Sequence, residues 1–397
     1  MRILSNDYLS SVPGSGINVK GGPARFAADF STVAISQGHE WIGLLHNPES
    51  GEYQERAVAG GKRFFSINAP SVTIEGLREL REPLAPEAYL AEDINSVKDL
   101  FKELRGDVLF LNGFSAYAWL LFAAAREIGL PVVIQHAGIF SREVEEYADL
   151  FTRAGRELCF AMEKDAAEYA AANIFLNEFS KKAFERIVQT RTVSNPHIIP
   201  LPHPGWPFED AAGPKKRKER VLGVVARWDR IKNHEAILAL AETLRETNVP
   251  WRIRSVTSIP DTAVHTEFKS RYRNCIEIVP PMSHTALMDF YQSVDVIILP
   301  SHFDVSPTVV MEAASLGVPT LISPNVGWVS EYEHCGMEEW IADFSRPHDV
   351  VRRLEKHFIR TEWPETKRFA EYIKKCHDPA IVYRSYLTLL KGTSIAT

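Results

Sequence analysis

A chain of 397 residues with 45% hydrophobic and 24% charged side chains describes a soluble globular protein of two or three domains, not a disordered or fibrous one. Its net charge of -6 excludes general nucleic-acid binding while leaving local basic patches open. Cys159, Cys275, Cys335 and Cys376 lie far apart with no Cys-x-x-Cys spacing, which excludes a disulfide framework and a zinc site.

The opening MRIL reads as a buried strand, without the long apolar region or small-residue cleavage site of a secretion signal. A helix over 23–37 follows Gly21 and Gly22, a pair that either lets backbone approach a ligand closely or is only a flexible turn. WIGLLH, DVLFLNG, PVVIQHA and NIFLNE are the next strands, separated by helical segments over 97–104, 116–128 and 142–172. The most apolar stretch, AWLLFAAA, is too short to cross a bilayer and runs into Arg126 and Glu127. The protein is therefore expected in the cytoplasm, with peripheral contact at the inner face of a membrane as a second expectation.

Residues 198–220, IIPLPHPGWPFEDAAGPKKRKER, combine Pro, Gly and a basic run and read as a linker. The basic run either meets anionic lipid or is merely solvated. Beyond it the alternation restarts: VLGVVAR, WRIRSVT, CIEIVP, VDVIILPS and PTLISP as strands, with HEAILALAETLRE, HTALMDFYQS and MEAASLG as helices. A final helical stretch from about 364 to 390 is interrupted by Asp378-Pro379. Two successive alternations predict an α/β protein with two doubly wound domains, 1–205 and 206–375, and a terminal helix over 376–397 that packs back toward the first domain.

In SHFDVSPTVVMEAASLGVP, residues 301–319, Asp304 and Glu312 bracket a helix start. The stretch follows a buried strand, at the sheet edge where ligands of parallel sheets gather. Ser306 suits an N-cap, Pro307 the first helical turn, and Gly317 the end, giving a helix from about 307 to 316. The amides of Thr308 and Val309 would then point outward as an anion site. The acids repel phosphate, so they suit hydroxyls on either side of it, as in a nucleotide sugar with its ribose and hexose. The plainer reading makes Asp304 a capping group and Glu312 a solvated or salt-bridged helix residue. VLGVVARWDRIKNHEAI adds Arg227 and Lys232 at the same edge, two cations able to neutralise a diphosphate leaving group.

These residues resemble the retaining glycosyltransferases of the GT-B fold, specifically family 4 (glycosyl transferases group 1), which carry a Glu, seven residues, Glu signature. LPSHFDVSPTVVMEAASLGVPTLIS looks like that signature, ARWDRIK like the family's Gly-Arg, four residues, Lys segment, and GGPARFAADFSTVAISQGHEW like its N-terminal glycine loop and helix. The resemblance covers nearly the whole chain. It implies two facing Rossmann-like domains, the first for the acceptor and the second for the nucleotide-sugar donor. Asp304 would bind donor-sugar hydroxyls, Glu312 the ribose, and Arg227 and Lys232 the diphosphate. His136, which follows PVVI, would contact the donor sugar or the acceptor through its ring or its backbone; by its residues alone it is more often a structural histidine satisfied by backbone groups. The base would rest against VPPMSH, with Pro281 and Met282, and Gly21, Gly22, Ser306, Thr308 and Val309 complete the donor-binding set. Asp304 stands where Glu is usual and Ala226 where Gly is common, and PLPHPGWPF replaces the usual Asn-Gly-Val-Asp linker.

The resemblance implies hexose transfer, with retention by front-face attack, from a UDP-sugar such as UDP-glucose, GDP and ADP being alternatives. The acceptor would be a glycan or lipid-linked sugar of bacterial cell-surface or extracellular polysaccharide. No metal or cofactor is expected, because Arg227, Lys232 and helix amides carry the diphosphate charge. A GT-B epimerase or phosphorylase, and a nucleotide-sugar-binding protein without catalysis, are the rival readings. A dinucleotide-dependent oxidoreductase would need a Gly-x-Gly-x-x-Gly turn, which neither SNDYLSSVPGSG nor VVARWD supplies.

Overall fold

A computed structural model of the chain describes residues 1–8, 22–47, 54–190, 192–209, 219–260 and 266–395. It divides into two compact units, one of 1–201 with 380–397 and one of 202–379.

The first unit carries an eight-stranded sheet: β1 (Arg2–Asn6), β2 (Glu40–Asn47), β3 (Gln54–Ala59), β4 (Lys62–Asn68), β5 (Val108–Asn112), β6 (Val132–His136), β7 (Ala172–Phe175) and β8 (Pro196–Ile198), in the order β3-β4-β2-β1-β5-β6-β7-β8. All pairings are parallel except β3 with β4. The strands are continuous apolar runs because helices cover both faces: β5 and β6 are buried at every position. One face packs Leu4, Leu109, Leu111 and Ile134 against the helices Ala91–Leu104, Ala116–Glu127 and Arg153–Tyr169. Phe26 and Phe30 of the helix Gly22–Ser36 meet Phe110 of β5 together with Tyr383 and Tyr386 of the final helix, Pro379–Ile395. The chain's last helix is thus part of the first unit's core.

The second unit holds β9 (Arg220–Val225), β10 (Trp251–Val256), β11 (Ile276–Val279), β12 (Val296–Leu299) and β13 (Thr320–Ile322), all parallel, in the order β11-β10-β9-β12-β13. The order reverses between β9 and β12. Loops leaving those two strands therefore diverge to opposite faces and open a crevice at their carboxyl ends, the usual ligand position in such sheets. The unit begins and ends side by side, since the His203 amide donates to the His377 carbonyl at 2.8 Å.

The hairpin β3–β4 turns on Gly60 and Gly61, both at positive φ (56° and 82°), where side-chain-bearing residues are strained. The segment expected as one helix over 142–172 is broken: Phe140–Glu146, a short turn Ala148–Leu150, then Arg153–Tyr169 capped by Thr152. No helix among the described residues is long and apolar enough to cross a membrane.

Candidate active site

Lys232 and Asp304 come from loops 72 residues apart in sequence, and two hydrogen bonds between those loops bring them together. The loop after β9 tightens into a single turn, Arg230–Lys232, because Asp229 accepts the Ile231 amide at 3.1 Å. Asn233 then takes the left-handed conformation (φ 55°), which Asn tolerates better than most residues, and caps the helix His234–Glu246 by accepting the Ala236 amide at 3.2 Å. Its side-chain amide also donates to the Pro300 carbonyl at 3.1 Å, and the Ile231 carbonyl accepts the His302 amide at 2.8 Å. Stitched to the loop after β12 in this way, Lys232 forms an ion pair with the Asp304 carboxylate. Both side chains are mostly covered, 19% and 14% exposed. Asp304 is fixed by its backbone too, bridging to Asn325 and Gly327.

Arg227 stands at the crevice mouth with its side chain 67% exposed and paired with Asp229 at 2.9 Å. Its carbonyl accepts from the buried His234 ring at 3.0 Å, so Nε2 carries the proton. Burial lowers the His234 pKa and keeps that ring neutral, and Trp228 stacks on it at 4.3 Å. The backbone beneath Arg227 is thus held while its guanidinium remains accessible.

The helix behind Asp304 runs Thr308–Ser315 with Pro307, not Ser306, in the capping position. Pro has no side-chain acceptor to offer, so no side chain caps this helix start; Ser306 is buried just before it. Thr308 and Val309, half-buried, occupy the first turn, where amides have no intrahelical acceptor. Leu316 and Gly317, at φ 67°, end the helix. Glu312, 6% exposed, is no solvated surface acid: its Oε2 accepts the Tyr291 hydroxyl at 2.6 Å. Pro281 is exposed, and Met282 packs against the cluster that contains Tyr291.

The ring of His136 is enclosed. The residue ends β6 but its ring is 1% exposed, bonded through Nε2 to Asn173 Oδ1 at 2.9 Å and stacked on Phe175 at 4.8 Å. Burial lowers its pKa to about 4, so it is a neutral core histidine. In the register it lies beside Phe175 of β7, and its ring also meets Phe184 at 4.4 Å. Gly22 is the first residue of the helix Gly22–Ser36 rather than part of a loop before it. Gly21 and residues 215–218 of the basic run lie outside the described residues.

Tyr291, Asn233 and His234 were not singled out from sequence. Asn233 had a legible signal, an Asn directly before a helical pattern; Tyr291 had none, because its partner lies on another helix.

Comparison with known proteins bears on the family and the fold. Residues 207–376 match the family model "Glycosyl transferases group 1", which spans β9–β13 and both loops of the site. D-inositol 3-phosphate glycosyltransferase of Thermobifida fusca is 23% identical over 156 residues, 36% of this chain and 36% of the relative. The match thus covers about a third of that relative's length. Among solved structures, sucrose-phosphate synthase from Thermosynechococcus elongatus superposes with a TM-score of 0.74 at 14% identity, covering 100% of this chain and 99% of the other. A structure titled trehalose-6-phosphate from E. coli bound with UDP-2-fluoro glucose gives 0.66 at 13% identity, covering 98% of each. The fold is that of the GT-B glycosyltransferases.

Proposed function

We propose that this protein is a retaining glycosyltransferase of family 4 that moves a hexose from a nucleotide-diphosphate sugar to a sugar hydroxyl. One observation carries the reading: at the switch point of the family-matched sheet, Lys232 and Asp304 are held together beside a helix start with no side-chain cap, with Arg227 at its mouth. In the proposed complex the diphosphate lies at the first turn of Thr308–Ser315, against the amides of Thr308 and Val309, and draws Lys232 and Arg227 to its oxygens. Two cations there stabilise the charge that grows on the leaving diphosphate as the glycosidic bond breaks. Asp304 accepts hydroxyls of the hexose and Glu312 those of the ribose, with the base against Pro281 and Met282. The acceptor hydroxyl attacks the anomeric carbon from the face the diphosphate leaves, and a phosphate oxygen takes its proton, which gives retention. From His136 the contact we propose is made by its backbone, since its ring is enclosed.

UDP is the first nucleotide to test, because the E. coli neighbour is bound with a UDP-sugar. The acceptor we propose is a glycan or lipid-linked sugar of cell-surface polysaccharide. With the cations supplying the charge, transfer proceeds without a divalent metal and continues in a chelator. A thermal-shift screen of UDP-, GDP- and ADP-sugars identifies the donor, since only a bound ligand raises the melting temperature. Transfer from that donor to a panel of glycans, lipid-linked sugars and sugar phosphates then tests the reaction. Lys232→Ala and Glu312→Ala should each reduce kcat/KM at least a hundredfold; if both leave it unchanged, the assignment is wrong. Turnover of the donor with no acceptor would favour an epimerase instead.

A further inference from the structure

Glu312 does not choose its own rotamer. Tyr291, fully buried on the helix His284–Ser293, donates its hydroxyl to Glu312 Oε2 at 2.6 Å. Its ring is fixed in turn by Trp206, which meets it edge-on at 5.6 Å, within an apolar cluster that includes Val294, Ile297 and Leu316. Met282 and Val309, from the two segments assigned to the donor, pack on the same cluster. The Trp206 indole N–H points to the ring of His284 at the start of Tyr291's own helix. Burial and the Glu312 charge push the Tyr291 pKa well above 10, so its hydroxyl remains a donor throughout the working pH range.

We infer that Tyr291 is a positioning residue for the nucleotide: through one buried hydrogen bond it holds the Glu312 carboxylate in the orientation that receives the cis-diol of the donor's ribose. The inference rests on the nucleotide-sugar reading above. A carboxylate offers about four acceptor positions, so a bond from Tyr291 does not exhaust it. What the bond does is remove rotamer freedom from a long acid that would otherwise have to be ordered on binding. The alternative is a pair that only joins two helices, which would stabilise the protein without affecting which sugar it reads.

The two are separated by the ribose itself. UDP, GDP and ADP are titrated calorimetrically into the full chain. The nucleotide that binds is then compared with its 2′,3′-dideoxy counterpart, for wild type, Tyr291→Phe, Glu312→Ala and the double variant. Wild type should prefer the ribonucleotide, and Glu312→Ala should lose that preference. Tyr291→Phe, which keeps the ring in its pocket, should reduce the preference roughly tenfold, as expected for one hydrogen bond to a charged group. It should raise KM for the donor with kcat little changed. In the Glu312→Ala background, Tyr291→Phe should have no further effect on the preference. If Tyr291→Phe keeps the wild-type preference, the inference fails while the donor reading stands. If Glu312→Ala keeps it, or if no nucleotide binds wild type, the ribose role of Glu312 fails and the inference with it. Should the Phe variant melt at a much lower temperature, the same comparison at a temperature where it is fully folded still decides, because ribose preference is a ratio within one protein.

Discussion

Lys232 and Asp304 are assigned to opposite ends of the donor's sugar phosphate, yet here they neutralise each other. A nucleoside diphosphate lacking the sugar must draw Lys232 away and leave a largely covered carboxylate beside phosphate. A complete donor supplies hexose hydroxyls to that carboxylate. Asp304→Asn should therefore bind the bare diphosphate several-fold more tightly and the sugar nucleotide less tightly, a crossover that competitive titration would show. The enclosed ring of His136 contributes to stability. Its pKa is about 4 in the folded protein against 6.5 for an exposed imidazole, so the unfolded chain binds the proton first. The stability gained from the neutral buried ring is present above 6.5 and is lost as pH falls through about 4. Relative to His136→Phe, wild type should lose on the order of 3 kcal/mol between pH 7 and pH 4 in denaturant unfolding. Buried Glu163, raised to about 7 while accepting the Phe140 and Ser141 amides, pulls in the opposite sense. Its contribution is common to both proteins and cancels in the difference. Sequence made the charged residues of the site legible because charges in loops after buried strands have few structural duties. The enclosure of the His136 ring was not legible, because a histidine ending a strand looks alike whether its ring faces a crevice or a core.

The helices Ile74–Glu79 and Arg153–Tyr169 approach so closely that a Cβ on Gly155 would lie 1.9 Å from the Leu77 carbonyl oxygen. That neighbour is backbone and cannot swing aside. Gly155→Ala should cost at least about 1–3 kcal/mol, read as a lower melting temperature, although alanine elsewhere favours a helix. Element by element, the buried parallel strands were legible because each is a short apolar run between turn signals, as in VLFLN of β5. The hairpin β3–β4 was missed: QERAVA carries charge at an edge, and its Gly60-Gly61 turn was the available signal. The helices Glu178–Val188, Thr266–Cys275 and Pro347–Ile359 also escaped; the first two follow strands, and the third follows the short turn Glu338–Trp340.

Across the whole molecule, the two α/β alternations were readable from the succession of apolar runs and helix-period segments. The closing helix needed the structure to show which side chains it brings home. Val382, Tyr383, Tyr386, Leu387 and Leu390 are buried, several against Phe26, Phe30 and Phe110. Removing residues 380–397 forfeits on the order of 10 kcal/mol of burial, comparable to the whole stability of a domain. That truncation should leave the first unit unfolded by circular dichroism. Residues 202–379 alone, whose ends already meet, should fold and bind the donor nucleotide with little loss of affinity.

Because the first unit's core is finished by residues beyond 379, it cannot close while the chain is still being made. The nascent amino-terminal half must wait, with Phe26 and Phe30 uncovered, through the synthesis of the entire second unit. A chain cut just before the last helix should therefore keep the second unit, 202–379, while the first unit's core stays open. Synthesis of residues 380–395 is in this sense a late folding step for the first unit, and until then Phe26 and Phe30 remain open to aggregation.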